Sequence, residues 1–117
     1  MGRSRMNSRI PCRAVTAIEA WIASALAPHC DECWIFGSEV RGLEFLDVDV
    51  LLIFDRRLAD DVLSRSGGWR AEFNQVFGCD LHLNRLTREE AEEKKEAIKI
   101  LLEPASKRVS PPLQSGR

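Results

Sequence analysis

The stretch of residues 48–54 constrains the fold more than any other part of the chain. Every residue in it except Asp49 is apolar, and most are β-branched or aliphatic. Seven residues of this kind have the length and composition of a strand, and a strand without polar alternation is covered on both faces. We therefore predict that this segment is the central strand of a sheet and that its first residues are less covered than the rest.

The remaining apolar segments predict a small α/β domain. Residues 33–36 and 79–83 are short apolar runs of strand length, and Thr87 with Glu90 has the spacing of a capping box. We expect a mixed sheet of three or four strands with helices packed mainly against one face. The predicted order is a helix over 13–27, a strand over 33–36, the central strand and a short helix over 58–64, followed by a flexible break at Gly67 and Gly68. A helix over 69–77, a strand over 79–83 and a helix over 87–102 come next. In the helix over 69–77, Gly78 is the predicted cap, and the predicted buried face consists of Trp69, Phe73, Val76 and Phe77.

Length and composition predict one globular domain with two loose ends. The chain has 117 residues, of which 44% are apolar, enough for a single modest core. Residues 1–12 are rich in Arg, Ser and Asn and predict a flexible basic lead. Residues 13–103 carry the patterned segments of the domain. Residues 104–117 contain three prolines and few apolar anchors, so we predict a disordered tail.

Charge and hydropathy exclude several classes of protein. The net charge of −1 gives no broad positive field, which disfavours general nucleic-acid binding. No apolar run has the length of a membrane span, and the first residues lack the apolar core of a signal peptide. We expect a cytoplasmic protein whose four cysteines are reduced.

Three cysteines and His82 have the spacing of a four-ligand zinc site, but the predicted strand geometry disfavours one. Cys30 and Cys33 are three residues apart, as are Cys79 and His82. Residues three apart in a strand point to opposite faces, so Cys79 and His82 are not expected to share an ion. Buried thiols are the preferred interpretation. A redox pair of Cys30 and Cys33 is the alternative, although a strand rather than a helix follows it.

Three acidic residues stand at the starts of two predicted strands. Asp47 and Asp49 are two apart and therefore project from one face of the central strand, where they repel each other unless a cation lies between them. Asp80 heads the third strand, where His82 shares its face. Oxygen ligands of this kind favour Mg²⁺ or Mn²⁺. We predict Asp47, Asp49 and Asp80 as metal ligands, and His82 as a supporting or packing residue rather than a ligand or base.

A turn after the first strand offers groups for phosphate. Gly37 permits close approach of the backbone, and Ser38 donates from its amide and its hydroxyl. Arg41 is the nearest cation. Metal, carboxylates and a phosphate-binding turn together suit in-line attack on a nucleotide phosphorus.

These residues resemble the minimal nucleotidyltransferases of the polymerase-beta-like superfamily. Their mark is a strand ending in Gly-Ser, an Arg-Gly soon after, Asp-x-Asp and a later strand with a third Asp. The matching parts here are Gly37-Ser38, Arg41-Gly42, Asp47-Val48-Asp49 and Asp80. The similarity extends over residues 13–102.

The resemblance implies a metal-dependent adenylyltransferase. It implies that Asp47, Asp49 and Asp80 bind Mg²⁺ or Mn²⁺ and carry catalysis, and that Gly37, Ser38 and Arg41 hold the triphosphate of ATP. Proteins of this size in the family often act as antitoxins that transfer AMP to a tyrosine of a HEPN-type toxin, a helical RNase. A protein partner of that class, or self-association, is therefore expected.

Two alternatives remain open. Eight residues separate Ser38 from Asp47, fewer than is usual in the family, and the segment Leu43-Glu44-Phe45-Leu46 replaces its customary approach to the first Asp. An inactive module that keeps the fold and neutralises its partner by binding would tolerate this loop. The other alternative is a small-molecule nucleotidyltransferase, similar to the aminoglycoside-modifying enzymes, in which a dimer supplies the acceptor pocket.

Overall fold

The computed structural model describes residues 15–36, 47–103 and 106–112. Within these ranges the chain forms four helices, four strands and two short 3₁₀ turns. The elements are α1 (Val15–Ala25), a 3₁₀ turn (Ala27–His29), β1 (Glu32–Phe36), β2 (Asp47–Phe54), a 3₁₀ turn (Arg56–Leu58), α2 (Ala59–Phe77), β3 (Asp80–Thr87), α3 (Arg88–Glu93), α4 (Lys95–Leu102) and β4 (Ser106–Arg108).

The strands form one mixed sheet in the order β3-β2-β1-β4. β1 runs antiparallel to both β2 and β4, whereas β2 and β3 are parallel. Parallel neighbours need a long crossover, and the 19-residue helix α2 provides it. β2 is hydrogen-bonded on both sides, as predicted for the central strand.

Alternate residues of β2 pack on opposite sides of the sheet. Val48, Val50 and Leu52 are fully buried in the larger core, to which α1 and α2 contribute. Leu51 and Ile53 face the other side, where they pack against residues of α3 and α4 in a smaller cluster. The two longer helices thus cover one face, in agreement with the predicted mixed sheet, and the two short helices cover part of the other.

The predicted break at Gly67 and Gly68 is wrong, because α2 continues through both glycines. Its buried residues recur at intervals of four and three, and they are Val62, Ser66, Trp69 and Phe73. Each helical glycine costs about 1 kcal/mol relative to alanine, and burial of one continuous apolar stripe outweighs that cost.

The last turn of α2 corrects a second residue assignment. Val76 is 58% exposed rather than buried, because Phe77, four residues after Phe73, continues the stripe. The predicted cap is confirmed, since Gly78 has a φ of 75° and its amide donates to the carbonyl of Asn74.

The segment after β3 also differs in part from expectation. β3 continues to Thr87, beyond the predicted end at residue 83. The capping box is confirmed, because the Thr87 hydroxyl accepts from the amide of Glu90 and the Glu90 carboxylate accepts from the amide of Thr87. The predicted helix over 87–102 is interrupted at Lys94, whose backbone leaves helical geometry, and α4 begins at the next residue.

Part of the predicted disordered tail is a strand. Residues of β4 pair with Trp34, Ile35 and Phe36 of β1, and the Val109 amide donates to the carbonyl of Cys33 at 2.8 Å. The pairing satisfies backbone groups that would otherwise form an open edge.

In the described part of the chain, no helix has both the length and the apolar composition that crossing a membrane requires.

A candidate metal-binding site on β2 and β3

The parallel register of β2 and β3 brings the polar residues of both strands to one region. Asp47 is the register partner of Asp80, and Asp49 is the partner of His82. Because side chains alternate along a strand, all four lie on the face that carries Leu51 and Ile53 further along. The polar residues occupy the first half of β2, and the short helices pack on its second half.

Asp47, Asp49 and His82 form a compact group of potential ligands. His82 Nδ1 lies 3.3 Å from Asp49 Oδ1, and His82 Nε2 lies 3.9 Å from Asp47 Oδ2. One donor atom from each residue lies within 4.8 Å of the others. Donors that share an ion at about 2.0–2.2 Å are themselves roughly 3–3.5 Å apart, so small side-chain rotations suffice to bring the three onto one cation.

The electrostatics of the group also suit a cation. Partial burial and the neighbouring charge of Asp47 raise the pKa of Asp49 above its ordinary value, and His82 partly opposes that shift. The ionised pair of carboxylates is therefore unfavourable by itself. A divalent ion between them would stabilise both ionised forms. The two carboxylates thus fit the expected Mg²⁺ or Mn²⁺ in charge and in donor type.

Asp80 lies beside this group but is not one of its members. Its Oδ1 accepts a hydrogen bond of 3.4 Å from the side-chain amide of Asn74, which also donates to the carbonyl of Cys79. Among the described residues, the one set of potential ligands that converges consists of Asp47, Asp49 and His82. As predicted, Asp47 and Asp49 project from one face of β2, and Asp80 pairs with Asp47, two positions before the pair of Asp49 and His82.

His82, which the sequence predicts to be a supporting or packing residue, lies among the potential ligands. The signal was present, because His82 lies two residues after Asp80 and therefore on the same face. The sequence does not reveal the register of the two strands, which places His82 and not Asp80 opposite Asp49. The predicted phosphate-binding residues Gly37, Ser38 and Arg41 lie outside the described residues.

As predicted from their spacing, Cys79 and His82 lie on opposite faces of the sheet. Cys79 is buried in the larger core, on the face that α1 and α2 cover, whereas the His82 side chain is 51% exposed on the other face.

Cys30, Cys33 and Cys79 are free thiols. Cys30 Sγ donates to the carbonyls of Leu26 and Ala27. A side-chain hydrogen bond between Cys30 and Cys33 lowers the pKa of Cys30 and, together with burial, raises that of Cys33.

A cleft next to His82 offers space and positive charge for a ligand. It has a volume of about 270 Å³ and is lined by Arg70, Leu81, His82, Leu83 and Arg85. Among the described residues, the lining includes two guanidinium groups and no carboxylate, so it favours an anion.

Comparisons of the chain with protein-family models, with curated proteins and with solved structures find no match. The two carboxylates and the imidazole could together hold a hard or intermediate divalent cation, and the cleft beside them favours anions. Such an arrangement can bind a phosphate ester and stabilise charge on its oxygens.

Proposed function

We propose that this chain is a metal-dependent nucleotidyltransferase that moves a nucleoside monophosphate, AMP from ATP, to a hydroxyl acceptor. The observation that carries the proposal is the convergence of Asp47, Asp49 and His82 at the start of two parallel strands. The arginine-lined cleft beside His82 adds support, because a nucleotide substrate is an anion. The sequence resemblance supplies the class of reaction.

Each residue has a defined part in the proposed reaction. Asp47 and Asp49 would hold the ion, and the turn at Gly37-Ser38 with Arg41 would hold the triphosphate. The bound ion supplies charge neutralisation at the phosphate oxygens. Asp80, exposed at the start of β3, would accept the proton of the acceptor hydroxyl. The acceptor oxygen forms a bond to the α-phosphorus, the bond to the β-phosphate oxygen breaks, and pyrophosphate leaves.

We further propose a protein acceptor, a tyrosine of a helical RNase toxin of the HEPN class, so that transfer would make the chain an antitoxin. This acceptor follows from the resemblance alone. The experiment is to incubate the purified protein with labelled ATP, Mg²⁺ or Mn²⁺ and the product of the adjacent reading frame. Label should appear on the partner with wild type and be lost with Asp47→Asn and Asp49→Asn.

A matched control separates loss of a ligand from loss of any surface charge. Asp60→Asn removes an acidic residue from the first turn of α2, which follows the opposite end of β2. It should transfer label as wild type does. Equal labelling by wild type and Asp49→Asn would exclude catalysis at this site.

The position of Asp80 favours a second candidate, an inactive module of the same fold that neutralises a partner by covering it. The resemblance implies a third carboxylate at the ion, whereas the convergent group here contains His82, and Asp80 Oδ1 accepts a hydrogen bond from Asn74. The second candidate predicts a tight complex that Asp49→Asn does not weaken. Calorimetry that detects metal-dependent ATP binding in wild type, and its loss in Asp49→Asn, would argue for the enzyme.

A further inference from the structure

We propose that His82, rather than Asp80, completes the metal site, and that its nitrogen makes the site select a divalent transition metal such as Mn²⁺ over Mg²⁺. This inference rests on the metal-dependent function proposed above and assigns its third ligand and its ion.

The first argument is the position of the two competing side chains. His82 is directly opposite Asp49, with its ring nitrogens 3.3 Å from one carboxylate and 3.9 Å from the other. A single imidazole therefore reaches both acidic residues. Asp80 is opposite Asp47 only, and one of its oxygens already accepts from Asn74. His82 is the residue that both carboxylates approach.

The second argument is the freedom of the histidine to turn toward an ion. Its side chain is 51% exposed, and β3 is at the edge of the sheet with the 270 Å³ cleft beside it. In the described part of the chain, its polar contacts are the two carboxylates themselves. Rotation of the imidazole to present one nitrogen therefore breaks no other interaction among these residues.

The third argument is the chemistry of the donor set. Mg²⁺ requires hard oxygen ligands and retains much of its water, whereas imidazole suits transition metals, and the affinity of nitrogen ligands rises along that series. Two carboxylates and one imidazole nitrogen therefore favour Mn²⁺ and its heavier neighbours. An all-carboxylate set built from Asp47, Asp49 and Asp80 would not make this distinction.

The experiment measures metal binding directly, without substrate. Mn²⁺ is titrated into the full-length protein and followed by the loss of the free-ion electron paramagnetic resonance signal, and Mg²⁺ is then added as competitor. Pulsed measurements on the bound Mn²⁺ report whether a nitrogen is coordinated. The variants are His82→Ala, His82→Asp and, as the matched control two residues earlier on the same face of β3, Asp80→Asn.

We expect wild type to show nitrogen coupling and to prefer Mn²⁺. His82→Ala should weaken Mn²⁺ binding by roughly tenfold to a hundredfold and abolish the coupling, since loss of even an outer-shell partner has effects of about that size. His82→Asp restores an all-oxygen set and should lower the Mn²⁺ preference by about tenfold. Asp80→Asn should leave both affinity and coupling unchanged. Circular dichroism on each variant verifies folding.

Two results would overturn the inference: bound Mn²⁺ without nitrogen coupling in wild type, or Asp80→Asn weakening Mn²⁺ binding while His82→Ala does not. Its failure is distinguishable from failure of the proposed function. Transfer of AMP that needs Asp80 but not His82 would retain the function and reject the ligand assignment. Nitrogen-coupled Mn²⁺ with no transfer to any acceptor would retain the ligand assignment and reject the function.

Discussion

Asp49 on β2 and His82 on β3 are direct partners in a parallel register, and their side chains meet at 3.3 Å. The pair joins two strands that are separated in sequence by the whole of α2. Metal binding at this point would therefore link the stability of the sheet to the presence of the ion, because an ion bound only by the folded state favours folding.

Mn²⁺ should raise the midpoint of thermal unfolding of wild type and not that of Asp49→Asn. At an ion concentration about one hundred times the Kd, the stabilisation is about 2.7 kcal/mol. Differential scanning calorimetry with Mn²⁺, and again after addition of a chelator, measures the effect. Asp60→Asn should respond as wild type does. A midpoint that millimolar Mn²⁺ leaves unchanged in wild type would contradict the site.

Replacement of either glycine inside α2 should stabilise the protein. A Cβ at Gly67 or Gly68 would have no atom within 4 Å, and both positions are helical, so alanine lowers the entropy of the unfolded chain without a clash. We expect each of Gly67→Ala and Gly68→Ala to raise the free energy of unfolding by about 0.5–1 kcal/mol in urea titrations.

Gly78→Ala provides the contrast for that experiment. Its surroundings are equally open, but its φ of 75° lies in the left-handed region, where a side chain costs roughly 1 kcal/mol. Destabilisation by Gly67→Ala as large as that by Gly78→Ala would mean that α2 is not continuous at Gly67.

The parts of the fold that could be predicted are those with local signals. Thr87 and Glu90 are three residues apart, and their capping box consists of hydrogen bonds between these two residues alone. Gly78 ends α2 because the left-handed conformation is inexpensive for glycine. The apolar composition of residues 48–54 likewise indicates a strand covered on both faces, and β2 confirms it.

The parts that could not be predicted depend on contacts distant in sequence. The continuity of α2 through Gly67 comes from the core under Val62 and Phe73, which local propensity does not include. The role of His82 depends on a strand register, and a register is set by packing across the sheet. The strand β4 forms because β1 offers an edge, a property of β1 and not of the tail.

The pairing of β4 with β1 should contribute measurably to stability. Val109→Pro removes the amide that donates to the carbonyl of Cys33 and should lower the free energy of unfolding by about 1–3 kcal/mol. Val109→Ala keeps the amide and loses only part of the contact of Val109 with the core, so its effect should be smaller. Equal urea midpoints for Val109→Pro and Val109→Ala would show that the hydrogen bond adds nothing.

The hydrogen bond between Cys30 and Cys33 should make Cys30 the most reactive of the described cysteines. It lowers the pKa of Cys30, and Cys30 is partly exposed. Burial and the charges of Asp80 and Asp47 raise the pKa of Cys79 to about 11, and Cys33 is buried with a raised pKa. Because the thiolate is the nucleophile, a lower pKa means that alkylation begins at lower pH.

Alkylation by iodoacetamide between pH 6 and 10, with each cysteine followed by peptide mass spectrometry, measures this order. We expect Cys30 to inflect below the pH of a free peptide thiol and Cys79 to remain slow across the range. Cys33→Ala removes this hydrogen bond and should move the Cys30 inflection to higher pH, whereas Cys79→Ala, a buried thiol elsewhere in the core, should not. If the Cys30 inflection is the same in Cys33→Ala as in wild type, the Cys33 thiol does not set the reactivity of Cys30.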